Sequence, residues 1–149
     1  MIWLLFVYRI HYKWISCILP AEITPLRKKR TVANITLLGL EKDLAEQLSN
    51  VLRAQHHRVH VTNSIPDTAA DIVFSTGDTS DYPDVIGRLV GKTPVVVVSR
   101  LPENRRWLDA LELGAADYCG APFEPVMIRW LVDSVLRRSV AAAPKSAAA

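Results

Sequence analysis

Few side chains in this sequence have the types and spacing that chemistry requires. The stretch His56-His57-Arg58-Val59-His60 brings three imidazoles into five residues. On an extended segment His56 and His60 share a face, yet two histidines make only half of a zinc shell. A helix ending just before them accounts for His56 and His57 more cheaply, because imidazoles favour the negative end of the helix dipole. The expectation is therefore no metal. Ser99 closes the run "PVVVVS" with the hydroxyl of a nucleophile, but the sequence sets no histidine beside it, so a structural hydroxyl is the better reading. Cys119 reads as a small buried residue. Cys17 and Cys119 lie too far apart in sequence to suggest a disulfide framework or zinc ligand set, which fits a reducing, cytoplasmic compartment.

The elements that must position these groups alternate in type between residues 33 and 138. Ile35–Leu38 is a short apolar run, a first strand. From Lys42 to Ala54, Leu44, Leu48, Val51 and Leu52 recur on one helical face. Arg58–Thr62 and Asp71–Ser75 read as strands, and Asp84–Val90 as a short helix with Val85, Ile86, Leu89 and Val90 inward. Pro94–Ser99 shows no alternation at all. Four consecutive valines must be covered on both faces, which marks a central strand of a parallel sheet. Glu103–Leu113 follows as a helix that Gly114 stops, since glycine takes the left-handed conformation without a Cβ penalty. Ala116–Cys119 is the last strand. Pro125 suits a first helical position, and Met127, Ile128, Leu131, Val132 and Val135 make the inward stripe of a final helix.

This order implies an α/β domain, a three-layer, doubly wound sheet. Eight residues, Asn63 to Ala70, join the second and third strands. A parallel crossover usually needs about a dozen, so the second helix is expected to be a single turn or absent. At "GAADYCGAPFEP" the last strand ends where such sheets place their chemistry, and the residues standing there are Cys119, Gly120 and Ala121.

The chain has 149 residues, enough for one domain, placed at 31–139. Residues 1–30 differ from it: apolar and aromatic, broken by Arg9, His11 and Lys13, then basic from Arg27 to Arg30. The apolar run is too short to span a bilayer and has no secretory-signal pattern. Readings left open are an interfacial helix at an anionic surface, a loosely packed tail, or codons upstream of the true start. Residues 140–149 are Ala-rich and expected to be frayed. The formal charge is +3, and the Arg27–Arg30 run carries it, so nucleic acid is not an expected partner.

From Lys92 to Arg138, "PVVVVSR", "ALELGAADYCGAPFEP" and an amphipathic end helix, the chain resembles a response-regulator receiver domain, and the likeness extends over residues 33–138. It implies the flavodoxin-like strand order 2-1-3-4-5, with the site at the carboxyl ends of the strands. It implies phosphoryl transfer from a histidine kinase to an aspartate, with magnesium. Residue by residue, the two acidic metal-holding positions after the first strand fall on Gly39 and Leu40, with Glu41 next. The phosphoacceptor position falls on Thr76, or on Gly77 with one residue of slip. The phosphate-contacting lysine position falls on Ala121. Ser99 keeps the position whose hydroxyl follows phosphorylation, and Tyr118 keeps that of the switch aromatic.

Gly39 and Leu40 offer no oxygen to magnesium. Thr76 needs a base to become nucleophilic. A degenerate site follows, with magnesium not expected and no enzyme activity. Glu41, Asp43, Asp78 and Asp81 lie on loops at the same edge and are read as helix-end and turn residues, the alternative being that one of them replaces the missing acceptor. Arg105, Arg106, Trp107, Asp109, Asp117, Arg129, Trp130 and Asp133 cluster around the last strand and its flanking helices, where receiver domains dimerise or dock partners. The expectation is a stand-alone interaction module in two-component signalling, binding another signalling protein or itself.

Overall fold

The computed structural model describes residues 31–65, 69–100 and 104–142. Five strands, β1 (Asn34–Leu38), β2 (Arg58–Thr62), β3 (Ile72–Thr76), β4 (Val95–Ser99) and β5 (Asp117–Gly120), form one sheet. The order is β2-β1-β3-β4-β5, and every pairing is parallel. Among the described residues four helices join them: α1 (Lys42–Ala54), α2 (Tyr82–Leu89), α3 (Asn104–Glu112) and α4 (Pro125–Ala142). The expected strand order and three-layer winding are both present.

The period of the strands decides which helix meets which face. Ile35, Leu37, Ile72, Phe74, Val96 and Val98 point one way and pack against Leu44, Leu48 and Leu52 of α1 and Ile128, Leu131, Val132 and Val135 of α4. The intervening Leu38, Val73, Val95 and Val97 point the other way, onto Ile86 and Leu89 of α2 and Ala110 of α3. All of β4 is buried, Ser99 included, as the unbroken valine run requires.

Two residues read as inward lie outside the core. Met127 is 54% exposed, because it sits one residue off the Ile128–Leu131–Val132–Val135 stripe and shares the outer side of α4 with Trp130. Val90 is 47% exposed; it follows α2 and lies over Gly114, where a Cβ would come within 2.6 Å of its Cγ2. Strand limits moved by a residue, with Asp71 left out of β3. Its carboxylate instead accepts the Asn34 N–H at 2.7 Å.

The β2–β3 connection holds no helix among its described residues. The side of β2 that such a helix would cover carries His60 and Thr62, in register with Thr36 and Leu38. A short crossover therefore leaves polar side chains in water rather than apolar ones, and costs the fold little.

Helices α1 and α3 end in the same hydrogen-bonded motif with different residues. After α3, Gly114 N–H reaches Leu111 O and Ala115 N–H reaches Ala110 O, with Gly114 at φ 99°. After α1, His56 N–H reaches Arg53 O and His57 N–H reaches Leu52 O, with His56 at φ 70°. An imidazole thus occupies the left-handed position that glycine favours. His56→Gly is expected to raise stability by about 0.5–1 kcal/mol in urea unfolding, after subtraction of glycine's larger unfolded-state entropy. A loss of stability would contradict this account of the turn.

His57 differs from its neighbour. Its Nδ1 accepts the Ala33 N–H at 3.3 Å, which requires that nitrogen to be unprotonated. Burial lowers its pKa below 6.5, the Asp133 carboxylate opposes that shift, and His56 adds to it. The native state thus binds fewer protons here than the unfolded chain does. The stability contributed is complete above the unfolded value and is lost as pH falls through the folded one. Thermal melts between pH ~7.5 and ~5.5 should show a decline in Tm that is shallower in His57→Gln, whose amide oxygen can still accept from Ala33. Equal slopes would remove His57 from the account.

Candidate functional site

Parallel pairing brings the carboxyl ends of β1, β3, β4 and β5 to one edge. Thr76 ends β3 and pairs with Val98, so residues just past each strand end meet across the edge. The chain leaves β1 through Gly39 at φ 63°, whose Cβ position lies 3.6 Å from Thr76 Cγ2. Leu40 turns back into the core. The two positions implied to hold a metal therefore present a bare backbone and a buried isobutyl group.

The turn after β3 is tightly held. Gly77 N–H donates to Val98 O at 2.7 Å. Gly77 is buried against β4, and a Cβ there would fall 2.6 Å from Val97 Cγ1, so no larger residue fits without displacing that valine. Asp78 N–H donates to Thr76 Oγ1 at 3.3 Å, which commits the threonine hydroxyl to its own turn.

Asp78 is the residue for which the structure adds most. Its carboxylate is not merely a turn group: Ser99 Oγ donates to Oδ1 at 2.6 Å, and Arg100 N–H donates to Oδ2 at 3.2 Å. The first is a short, charge-assisted bond. Arg100 in turn pairs with Glu41 Oε2 at 2.6 Å, both side chains about half exposed. Such a pair contributes roughly 0.2–1 kcal/mol and holds position more than it stabilises. Of the other loop acids, Asp43 lies in the first turn of α1, and Asp81 precedes α2 and accepts from Ser80 Oγ at 3.2 Å. Asp43 thus sits at a helix start, and so does Asp81, which was expected in a turn.

Across β4, Ala121 N–H donates to Ser99 O at 3.1 Å, and the Ala121–Pro122 peptide is cis. The lysine position thus reaches the edge, but it brings only a methyl group. Tyr118 is half-buried on the α2–α3 side, its Cε2 3.8 Å from the Cβ position of Gly77. Its hydroxyl is buried and makes no hydrogen bond among the described residues. Both oxygens of Asp78 accept from the protein, and Gly39 and Leu40 bring no carboxylate to the edge. Among the described residues no three His, Cys, Asp or Glu side chains converge as a metal set. His56 and His60 are both exposed, while His57 is engaged by Ala33.

The outer surface beside this edge is mixed. On α3, Trp107 and Leu108 are 44% and 52% exposed; on α4, Val126 and Trp130 reach 75% and 62%. Trp130 is thus a surface residue rather than part of the core. Arg129 and Asp109 are exposed and Asp133 is half-buried. Asp117 is half-buried and pairs with Arg138 at 3.3 Å. Arg106 donates to Gly77 O at 3.3 Å, which ties α3 to the β3 turn. The Arg105 side chain and residues 1–30 and 143–149 fall outside the described residues. No described helix is long and apolar enough to cross a membrane.

Sequence reasoning missed Arg100 and the orientation of Asp78. The signal was present in the register: Asp78 stands two residues past Thr76, opposite Ser99 and Arg100 in the neighbouring strand end.

No family model matches the chain. Over 56 residues it is 38% identical to Protein PetR of Rhodobacter capsulatus, a match covering 36% of this chain and 24% of that protein. Among solved structures, NtrX from Brucella abortus in complex with ADP superposes with a TM-score of 0.66 at 22% identity, over 74% of this chain and 28% of that one. A two-component response regulator from Clostridium difficile gives 0.63 at 21%, over 72% and 98%. The chemotaxis response regulator CheY4 of Vibrio cholerae gives 0.61 at 13%, over 71% and 100%. The match thus spans about a quarter of PetR and of NtrX, and essentially the whole of the two shorter chains. At these identities the structural likeness is one of fold: the chain has the fold of response-regulator receiver domains.

Cys119, on β5, is half-buried rather than fully buried and packs against the core that α1 and α4 share. Burial pushes its thiol up to about 12, and the charge of Asp117 acts in the same direction. With Cys17 changed to serine, the native protein should leave a thiol-specific disulfide reagent such as DTNB unreacted at pH ~8 and consume one equivalent only after unfolding. Rapid native reaction would show the α4–β5 contact to be open.

Proposed function

We propose that this chain is a degenerate receiver module that takes part in two-component-type signalling through protein contacts, without accepting phosphate and without magnesium. The observation that carries this reading is the carboxyl edge itself. By the resemblance, Gly39, Leu40, Thr76 and Ala121 fall at the positions of the two metal acids, the acceptor and the lysine. Phosphoryl transfer requires an in-line acceptor and neutralisation of the transferring charge. Here Thr76 Oγ1 is engaged by Asp78 N–H, and the edge offers no lysine. Exposed Trp107, Trp130 and Arg129 support binding as the output, since tryptophan and arginine concentrate at interface hot spots.

A second reading has one observation in its favour. The Asp78 carboxylate already meets the Ser99 hydroxyl, which makes it the loop acid best placed to act as a displaced acceptor. Incubation with acetyl phosphate and magnesium, followed by intact mass spectrometry, separates the two. The proposed function predicts an unchanged mass. An alkali-labile gain of one phosphate, lost in Asp78→Ala, would establish the second reading instead.

A further inference from the structure

We propose that the outer side of α4 is a self-association surface, on which two copies of this chain pair their final helices antiparallel, Trp130 of each against Arg137 of the other. This rests on the reading above that protein contacts are the output, and it names the partner as a second copy. Helix α4 is longer than the layer it covers. Its 18 residues span roughly 27 Å, against roughly 17 Å for a five-residue strand such as β4. Ile128, Leu131, Val132 and Val135 commit one side of it to the sheet. A second apolar set stands on the opposite side: Val126, Trp130 and Val140, the last 76% exposed. With exposed Arg137 they recur at i, i+4, i+11 and i+14, a single stripe along the helix. Those are the spacings of the seam positions in a paired helix. Met127 borders the stripe on the flank of Arg138, which is tied to Asp117 of β5. Asp133 borders it on the flank of His57, whose titration it influences.

The charges fix the direction of pairing. A parallel pair would set Arg137 against Arg137 and align the two helix dipoles. Turning one copy end for end puts each guanidinium over the other copy's indole, an attractive cation–π arrangement. In the same register Val126 and Met127 of one copy lie against Val140 and Ala141 of the other, so both ends of the stripe gain apolar cover. The two-fold axis falls between Asp133 and Ser134, and the surface is its own complement. An unrelated partner would not require a stripe whose two halves match each other.

Sedimentation equilibrium of the full chain tests this. The parent should fit a monomer–dimer equilibrium. Trp130→Glu and Arg137→Glu should each weaken it by roughly a hundredfold or more, with Trp107→Glu, on α3, like the parent. A parent that stays monomeric at its highest soluble concentration, or a dimer indifferent to both α4 variants, would overturn the proposal. So would a dimer lost only in Trp107→Glu, which would place the contact on α3. Disulfide trapping in a Cys17→Ser background reads the orientation. Val126→Cys and Val140→Cys chains should cross-link to each other on mixing and not to themselves; self-linking of Val126→Cys, or no mixed product, would contradict the antiparallel register. Intact mass of the parent after acetyl phosphate and magnesium separates the two levels. A phosphate gain removes the non-accepting reading and leaves the dimer, whereas an unmodified, monomeric parent removes the dimer alone.

Discussion

Burial of β4 on both faces is the constraint from which the rest of this molecule follows. Four valines in a row have no side to offer water, so one helical layer must cover Val96 and Val98 and another must cover Val95 and Val97. That requirement sets the three-layer winding. It also carries Ser99 to full burial at the carboxyl edge, where a hydroxyl needs a partner. The partner is Asp78, delivered by a neighbouring strand whose register the same sheet dictates.

On the proposed reading, this edge has the backbone arrangement of a receiver's reaction centre without its reagents. Substitution with glycine, leucine, threonine and alanine removes negative charge from β1 and β3 and positive charge from the β5 end. Of the charges there, Asp78 accepts from a hydroxyl and a backbone N–H, and Glu41 pairs with Arg100. In a functioning phosphoacceptor, carboxylates crowd together until a cation relieves them. On the proposed reading, a divalent ion entering here would compete with the hydrogen bonds of Asp78 and the Glu41–Arg100 pair rather than relieve repulsion.

Much of the fold was legible because its signals are local and redundant. The bounds of α1 and β2 and the Gly114 stop were readable from apolar spacing and a single glycine. The polar side of β2 made a short crossover tolerable, in keeping with its nine-residue link. The misplaced residues, Val90 and Met127, sit where apolar chemistry extends one position past the stripe that the helix can bury. Helical periodicity ranks faces and does not by itself say where a stripe ends. The histidines divided in a way composition does not reveal: His56 sits in a left-handed turn, and His57 accepts from Ala33, just before β1 and 24 residues away in sequence.

The candidate site was half readable. The resemblance points to Gly39, Leu40, Thr76 and Ala121, whose side chains are plain in the sequence. Which groups fill the place depends on the side-chain conformation of Asp78 and Arg100, and both look like ordinary surface residues in the sequence. The central claim, that this edge does not capture a divalent ion with a phosphoryl-like group, is tested most directly by NMR titration of the labelled protein with magnesium and beryllium fluoride. The account predicts that the Thr76, Ser99, Arg100 and Tyr118 amide signals stay in place; a saturable shift of those signals together would contradict it.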